Sequence, residues 1–175
     1  AVRAIGGHPR NVPDSVLPLV KANGGVIMVV FLPDFVSEKV RQWEGAHAAE
    51  TARGKYLFPG DPKAPAAPAD DWVKANPRPT ASVGDVADHI DHIRGAIGID
   101  HIGVGGDYDG MDSAPVGMPD VSGYPALFTE LARRGYSQAD LEKIASGNIL
   151  RVMRGVEAYA KAHAGDPPIE TPVAE

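Results

Sequence analysis

The sequence contains no cysteine, so neither a disulfide nor a thiolate metal site can be built from it. It has no excess of positive charge either: 17 basic residues stand against 23 acidic ones, a net charge of −6. A chain of that sign is a poor match for a phosphate backbone, which argues against a nucleic-acid partner. Long apolar runs are missing as well. The longest, Val26 to Leu32, is far too short to span a bilayer, so no membrane anchor is expected in this chain. No secretory leader is visible, but the first residue is not Met, as in a processed or truncated product, and no compartment follows from that. No internal repeat and no heptad pattern are present.

What is there fits one domain. The 175 residues are enough for a real core. We take 1–164 as the folded part and 165–175, which carries three prolines, as a frayed tail. Residues from Asp14 to Ala22 predict a short helix, ended by Asn23-Gly24-Gly25. Val26 to Phe31 then predicts a strand without polar alternation, as in a parallel sheet buried on both faces. A helix is expected from Phe35 to about Gly54. Six prolines between residues 59 and 80 predict a surface excursion without regular structure.

Ser82-Val-Gly-Asp85 has the spacing of a capping box, and the helix it opens carries Val83, Val86, Ile90, Ile93 and Ile97 on one face. Gly98 ends it, and Asp100 to Val104 reads as a second buried strand. Helices are expected from Val121 to Arg134, from Ser137 to near Gly147, and from Asn148 to His163. The last should turn Ile149, Leu150, Val152, Met153 and Val156 inward. Helix and strand alternate, so the fold class is α/β.

The chemistry concentrates in His101-Ile-Gly-Val-Gly-Gly-Asp-Tyr-Asp-Gly110, an apolar strand that ends abruptly at a carboxylate. In α/β enzymes reactive groups sit at strand ends and in the loops after them, so Asp107 is the candidate acid–base residue. A carboxylate there is expected to be partly shielded. A surface turn would use the same residue types. A calcium loop does not fit, because glycine stands fourth and Met118 falls where a bidentate glutamate is needed. His89 and His92 share a helical face three residues apart, with His101 nearby. Structural histidines bonded to carboxylates or carbonyls are favoured there over a metal site. Arg10 lies between Pro9 and Pro13, a cation in a stiffened loop that would matter if a substrate carboxylate came near.

Three stretches together resemble the membrane (renal) dipeptidase family: Arg10-Asn-Val-Pro-Asp14, Val83 to Ile93, and Gly103-Val-Gly-Gly-Asp-Tyr-Asp-Gly110. Tyr124 to Leu127, Leu131 to Arg134 and Asn148 to Val152 continue the match in order. The resemblance covers roughly residues 1–160 and implies the C-terminal portion of a (β/α)8 TIM-type barrel that hydrolyses dipeptides with two zinc ions. It casts Arg10 as the group that binds the substrate's free carboxylate. Asp107 becomes the last-strand aspartate that handles protons. Phe35 falls where some members carry a tyrosine near the substrate. The family's metal ligands, a His-x-Asp pair, a bridging Glu and two later His, have no counterpart here, so no metal ligand is assigned and zinc ligands are expected outside this chain. A homodimer is possible on the same resemblance. The alternative reading is a non-catalytic fragment or binding module that lacks the metal ligands.

Overall fold

In the computed structural model, residues 1–60 and 66–167 are described. Two short parallel strands, β1 (Ile27–Val29) and β2 (Ile102–Val104), form the sheet. They pair in the register Ile27 with Ile102, Met28 with Gly103 and Val29 with Val104. Around them lie the helices α1 (Leu17–Ala22), α2 (Pro33–Val36), α3 (Glu38–Leu57), α4 (Ala66–Ala75) and α5 (Val83–Ile97). The helices α6 (Tyr124–Arg133), α7 (Gln138–Glu142) and α8 (Asn148–Ala162) complete the order. None of the described helices is long and apolar enough to cross a membrane.

The helix ends follow the capping signals. Ser82 accepts from the Asp85 N–H while the Asp85 carboxylate takes the Ser82 N–H, and Ser137 with Asp140 repeats the pair at α7. Helix α5 stops at Gly98, whose φ of +97° only glycine adopts without strain. Helix α1 begins three residues later than its sequence pattern, because Pro18 must sit in the first turn. Helices α2 and α3 divide the stretch expected as one helix, with Ser37 extended between them.

The core is one cluster. Val86, Ile90, Ile93 and Ile97 of α5 are buried against Ile27, Val29 and Phe31, with Ile102, Leu127, Leu131 and Ile144 closing the other sides. At roughly 1.5–3 kcal/mol for each large aliphatic side chain removed from water, this face is the main source of cohesion. Asp88 and Asp91, on the outer side of α5, both accept from the Arg134 guanidinium at 2.6 Å, which ties α5 to the end of α6.

Four further expectations are corrected. The proline-rich stretch contains a helix, α4, whose one proline, at position 68, is its third residue. There a missing N–H costs nothing, because first-turn N–H groups have no acceptor in the helix. Residues 61–65 of that stretch, and 168–175 of the tail, lie outside the described residues. Strand β1 is not buried on both faces: Met28 points away from Ile27 and Val29 and is 37% exposed, its sulfur lying over Gly103. Helices α7 and α8 are not separate, because a π-helical turn, Lys143–Gly147, joins them. In α8 the residues expected inward are largely outside. Leu150, Met153, Val156 and Tyr159 are exposed, and Asn148 is the buried anchor, its amide donating to the Ile99 and Ile102 carbonyls at 2.8 Å each. The apolar stripe is real; among the described residues nothing covers it.

Candidate functional site

Parallel pairing sends the loops after β1 and β2 out at the same edge. The pairing extends beyond the strands, with Gly105 N–H donating to Val29 O (3.0 Å) and Phe31 N–H to Gly106 O (3.4 Å). The next residue is Asp107. Its backbone is left-handed (φ 62°, ψ 36°), the one such non-glycine conformation among the described residues. Asp is one of the few residues that tolerates this region, since its short side chain can bond locally. Its carbonyl accepts the Gly110 N–H at 3.0 Å and closes the 3-10 turn Tyr108–Gly110. The carboxylate folds back over that turn, so that a Cβ on Gly110 would come within 2.6 Å of Oδ1. Backbone strain of this kind collects at functional sites. The expected shielding is absent: within this chain Asp107 is exposed.

Three aromatic rings support the loop from below. Phe31 meets Tyr108 edge-on at 5.9 Å and Tyr124 at 5.4 Å. The Tyr124 hydroxyl accepts the Gly106 N–H at 2.9 Å and so fixes the Gly105–Gly106 peptide. The Tyr108 hydroxyl is buried with no partner among the described residues, and burial pushes its pKa up.

Arg10 lies in the N-terminal loop, over the ring of Phe35. A parallel bridge between Val2 and Val12 closes that loop. Phe35, in α2 just after β1, is buried beneath it: the Arg10 guanidinium lies 5.0 Å from the ring centroid and the His8 ring 4.2 Å. His8 also accepts the Arg10 N–H on Nδ1 at 3.2 Å, and its Nε2 stands 3.6 Å from an Asp34 carboxylate oxygen. Among the described residues the guanidinium makes no hydrogen bond or ion pair. Stacked and exposed, its donor fork is available to a carboxylate. A cleft of about 830 Å³ opens beside Asp107, lined by Tyr108, Asp109, Met111, Ser113 and Asp120, but neither Arg10 nor Asp107 lines it. So this chain presents both groups without enclosing them.

His89, His92 and His101 each bond a carbonyl or a carboxylate, as the sequence suggested. His89 is fully buried; its Nδ1 accepts the Val2 N–H at 2.9 Å, which leaves the proton on Nε2 to donate to Val36 O at 3.2 Å. Burial lowers its pKa to about 4. His92 bonds Asp14 at 3.0 Å and His101 bonds Gly25 O at 2.8 Å. Among the described residues no three His, Asp or Glu side chains converge on a point that could hold a metal ion. The described residues by themselves therefore do not fit a binuclear zinc centre.

Sequence reasoning passed over His8, Asn11, Tyr108 and Tyr124. Asn11, Tyr108 and Tyr124 stood inside stretches already singled out. Their contacts run to distant parts of the chain, and no local pattern announces them.

Comparisons with known proteins agree in one direction. The family model for membrane dipeptidases (peptidase family M19) matches residues 1–166. Dipeptidase aclJ of Aspergillus oryzae is 35% identical over 95% of this chain and 31% of its own length. Dipeptidase 3 of Rattus norvegicus is 34% identical over 97% of this chain and 27% of its own. The chain thus spans less than a third of these relatives. Among solved structures, the probable dipeptidase PvdM from Pseudomonas aeruginosa superposes with a TM-score of 0.66 and 31% identity, over 86% of this chain and 42% of that one. A metallopeptidase from Rhodobacter sphaeroides, solved with a phosphinate mimic of L-Ala-D-Ala, shares the fold at a TM-score of 0.62 and 22% identity, over 87% of this chain and 33% of that one. With helices and a parallel pair arranged as in those structures, and the family model matching residues 1–166 of its 175, the chain belongs to the membrane dipeptidase family, peptidase family M19.

Proposed function

We propose that this chain is the C-terminal portion of a (β/α)8 barrel that hydrolyses dipeptides, with Arg10 holding the substrate's free carboxylate and Asp107 moving protons. The observation that carries the reading is the Arg10 platform: an exposed guanidinium over the Phe35 ring, with no hydrogen bond or ion pair among the described residues. A planar fork of donors suits a carboxylate better than any other common group.

Hydrolysis requires water oxygen to bond the peptide carbon, the C–N bond to break, and one proton to pass from the water to the departing amine. Asp107 can accept that proton and return it. The two zinc ions implied by the family resemblance would be held by residues from outside this chain. Arg10 orients the dipeptide by its end, so that binding energy is used to place the scissile bond.

The test is Arg10→Lys in the full-length protein. A point charge then replaces a two-pronged grip, and the ground and transition states lose it alike. KM for a dipeptide should rise about tenfold, the size of one charge-assisted hydrogen bond of roughly 1.5 kcal/mol, with kcat little changed. An unchanged KM would return Arg10 to an ordinary surface charge.

A further inference from the structure

The geometry points to Asn11 as a positioning residue that sets where Arg10 can reach, a role that rests on the reading of Arg10 just given. Asn11 is only 2% exposed, although its neighbour Arg10 is on the surface. Both donors of its side-chain amide are used. Nδ2 donates to Gly6 O and to Phe35 O, each at 2.8 Å. One amide therefore ties the start of its own loop to the backbone of the residue on whose ring Arg10 rests. The Oδ1 atom is buried without a partner among the described residues. So the side chain serves through its donors alone. An aspartate, which only accepts, could not make either bond and would face two carbonyl oxygens.

The packing around this amide is close enough to transmit a displacement. A Cβ at Gly6 would lie 2.8 Å from Phe35 O and 3.2 Å from Asn11 Nδ2, so the two backbones touch only because residue 6 has no side chain. On the other side the His8 ring covers Phe35, and the Arg10 N–H is held by His8 Nδ1. Arg10 is thus fixed at its backbone by His8 and at its resting surface by Asn11. Loss of the amide frees the loop from Phe35, and the guanidinium keeps its charge but loses its place. Such a residue touches no substrate and acts wholly through Arg10.

The experiment is steady-state hydrolysis of a dipeptide by the full-length protein carrying Asn11→Ala, Arg10→Lys, or both, with thermal unfolding checked on each sample. Gly6→Ala is run beside them. It forces the same two backbones apart while Asn11 is intact, and it carries the reading if Asn11→Ala does not fold. The expected result is a KM raised about tenfold with kcat within about twofold, and no further rise when Asn11→Ala is combined with Arg10→Lys, because neighbours acting as one unit are not additive. Two results overturn the proposal: KM unchanged by Asn11→Ala and Gly6→Ala while Arg10→Lys raises it, or a fall in kcat that adds to the Arg10→Lys effect, the mark of a merely structural residue. If Arg10→Lys itself leaves KM unchanged, the carboxylate reading of Arg10 fails first, and this inference fails with it.

Discussion

Asp107→Asn in the full-length protein should lower kcat for a dipeptide by about 10²–10⁴-fold, the usual size of a general acid–base contribution. The substitution isolates proton transfer. Asparagine tolerates the left-handed backbone of position 107 as well as aspartate does, so the turn closed by the Gly110 N–H persists. The amide keeps the shape and can still accept a hydrogen bond, but it can no longer take a proton from water and return it to an amine. KM should stay near its original value, since the proposed grip on the other end of the substrate belongs to Arg10. Metal content should also stay near that of the unmodified protein, because Asp107 joins no ligand set among the described residues. Full turnover would make Asp107 a turn former and nothing more. Loss of metal would make it a ligand.

Acid should destabilise the protein through His89. This imidazole is buried neutral with a pKa lowered to about 4, against 6.5 in an unfolded chain, burial being the main cause. Between those two values the unfolded state binds the proton and the folded state does not. Stability is therefore fully present above pH 6.5, is lost as pH falls toward 4, and falls no further from this group below that. The whole increment is about 3 kcal/mol. Both ring nitrogens are committed, to Val2 N–H and Val36 O, so protonation also breaks the bond that Nδ1 accepts. Melting temperatures measured between pH 7 and pH 4.5 should fall steeply, and His89→Gln, less stable at pH 7, should show a shallower slope. Equal slopes for the two proteins would remove His89 from the account.

Local signals in the sequence carried much of the fold, and the reason is physical. The two Ser-x-x-Asp boxes, the stop at Gly98 and the apolar face of α5 are set by bonds and burial within a few residues, so their pattern is complete in the chain itself. Helix α4 was hidden because proline counts against a helix everywhere except in its first turn, where Pro68 lies. The stripe on α8 was read correctly as apolar and wrongly as inward, since periodicity says that a face wants cover but not whether cover is present. Met28 misled in the same way. The two candidate residues, Arg10 and Asp107, stood out in the sequence because prolines flank one and a strand end precedes the other. The amide of Asn11, 24 residues from the carbonyl of Phe35 that it holds, was not. The left-handed turn at Asp107 was equally hidden, because Asp and Gly are common in turns of many kinds.

The most direct test is the hydrolysis of one dipeptide and of its C-terminal carboxamide by the full-length protein. The two differ only in the group that Arg10 is held to grip. The account predicts turnover of the dipeptide, with kcat/KM for the carboxamide lower by roughly 10–100-fold through the loss of charge-assisted hydrogen bonds at Arg10. Equal kcat/KM for the two compounds, or no hydrolysis of either, would contradict it.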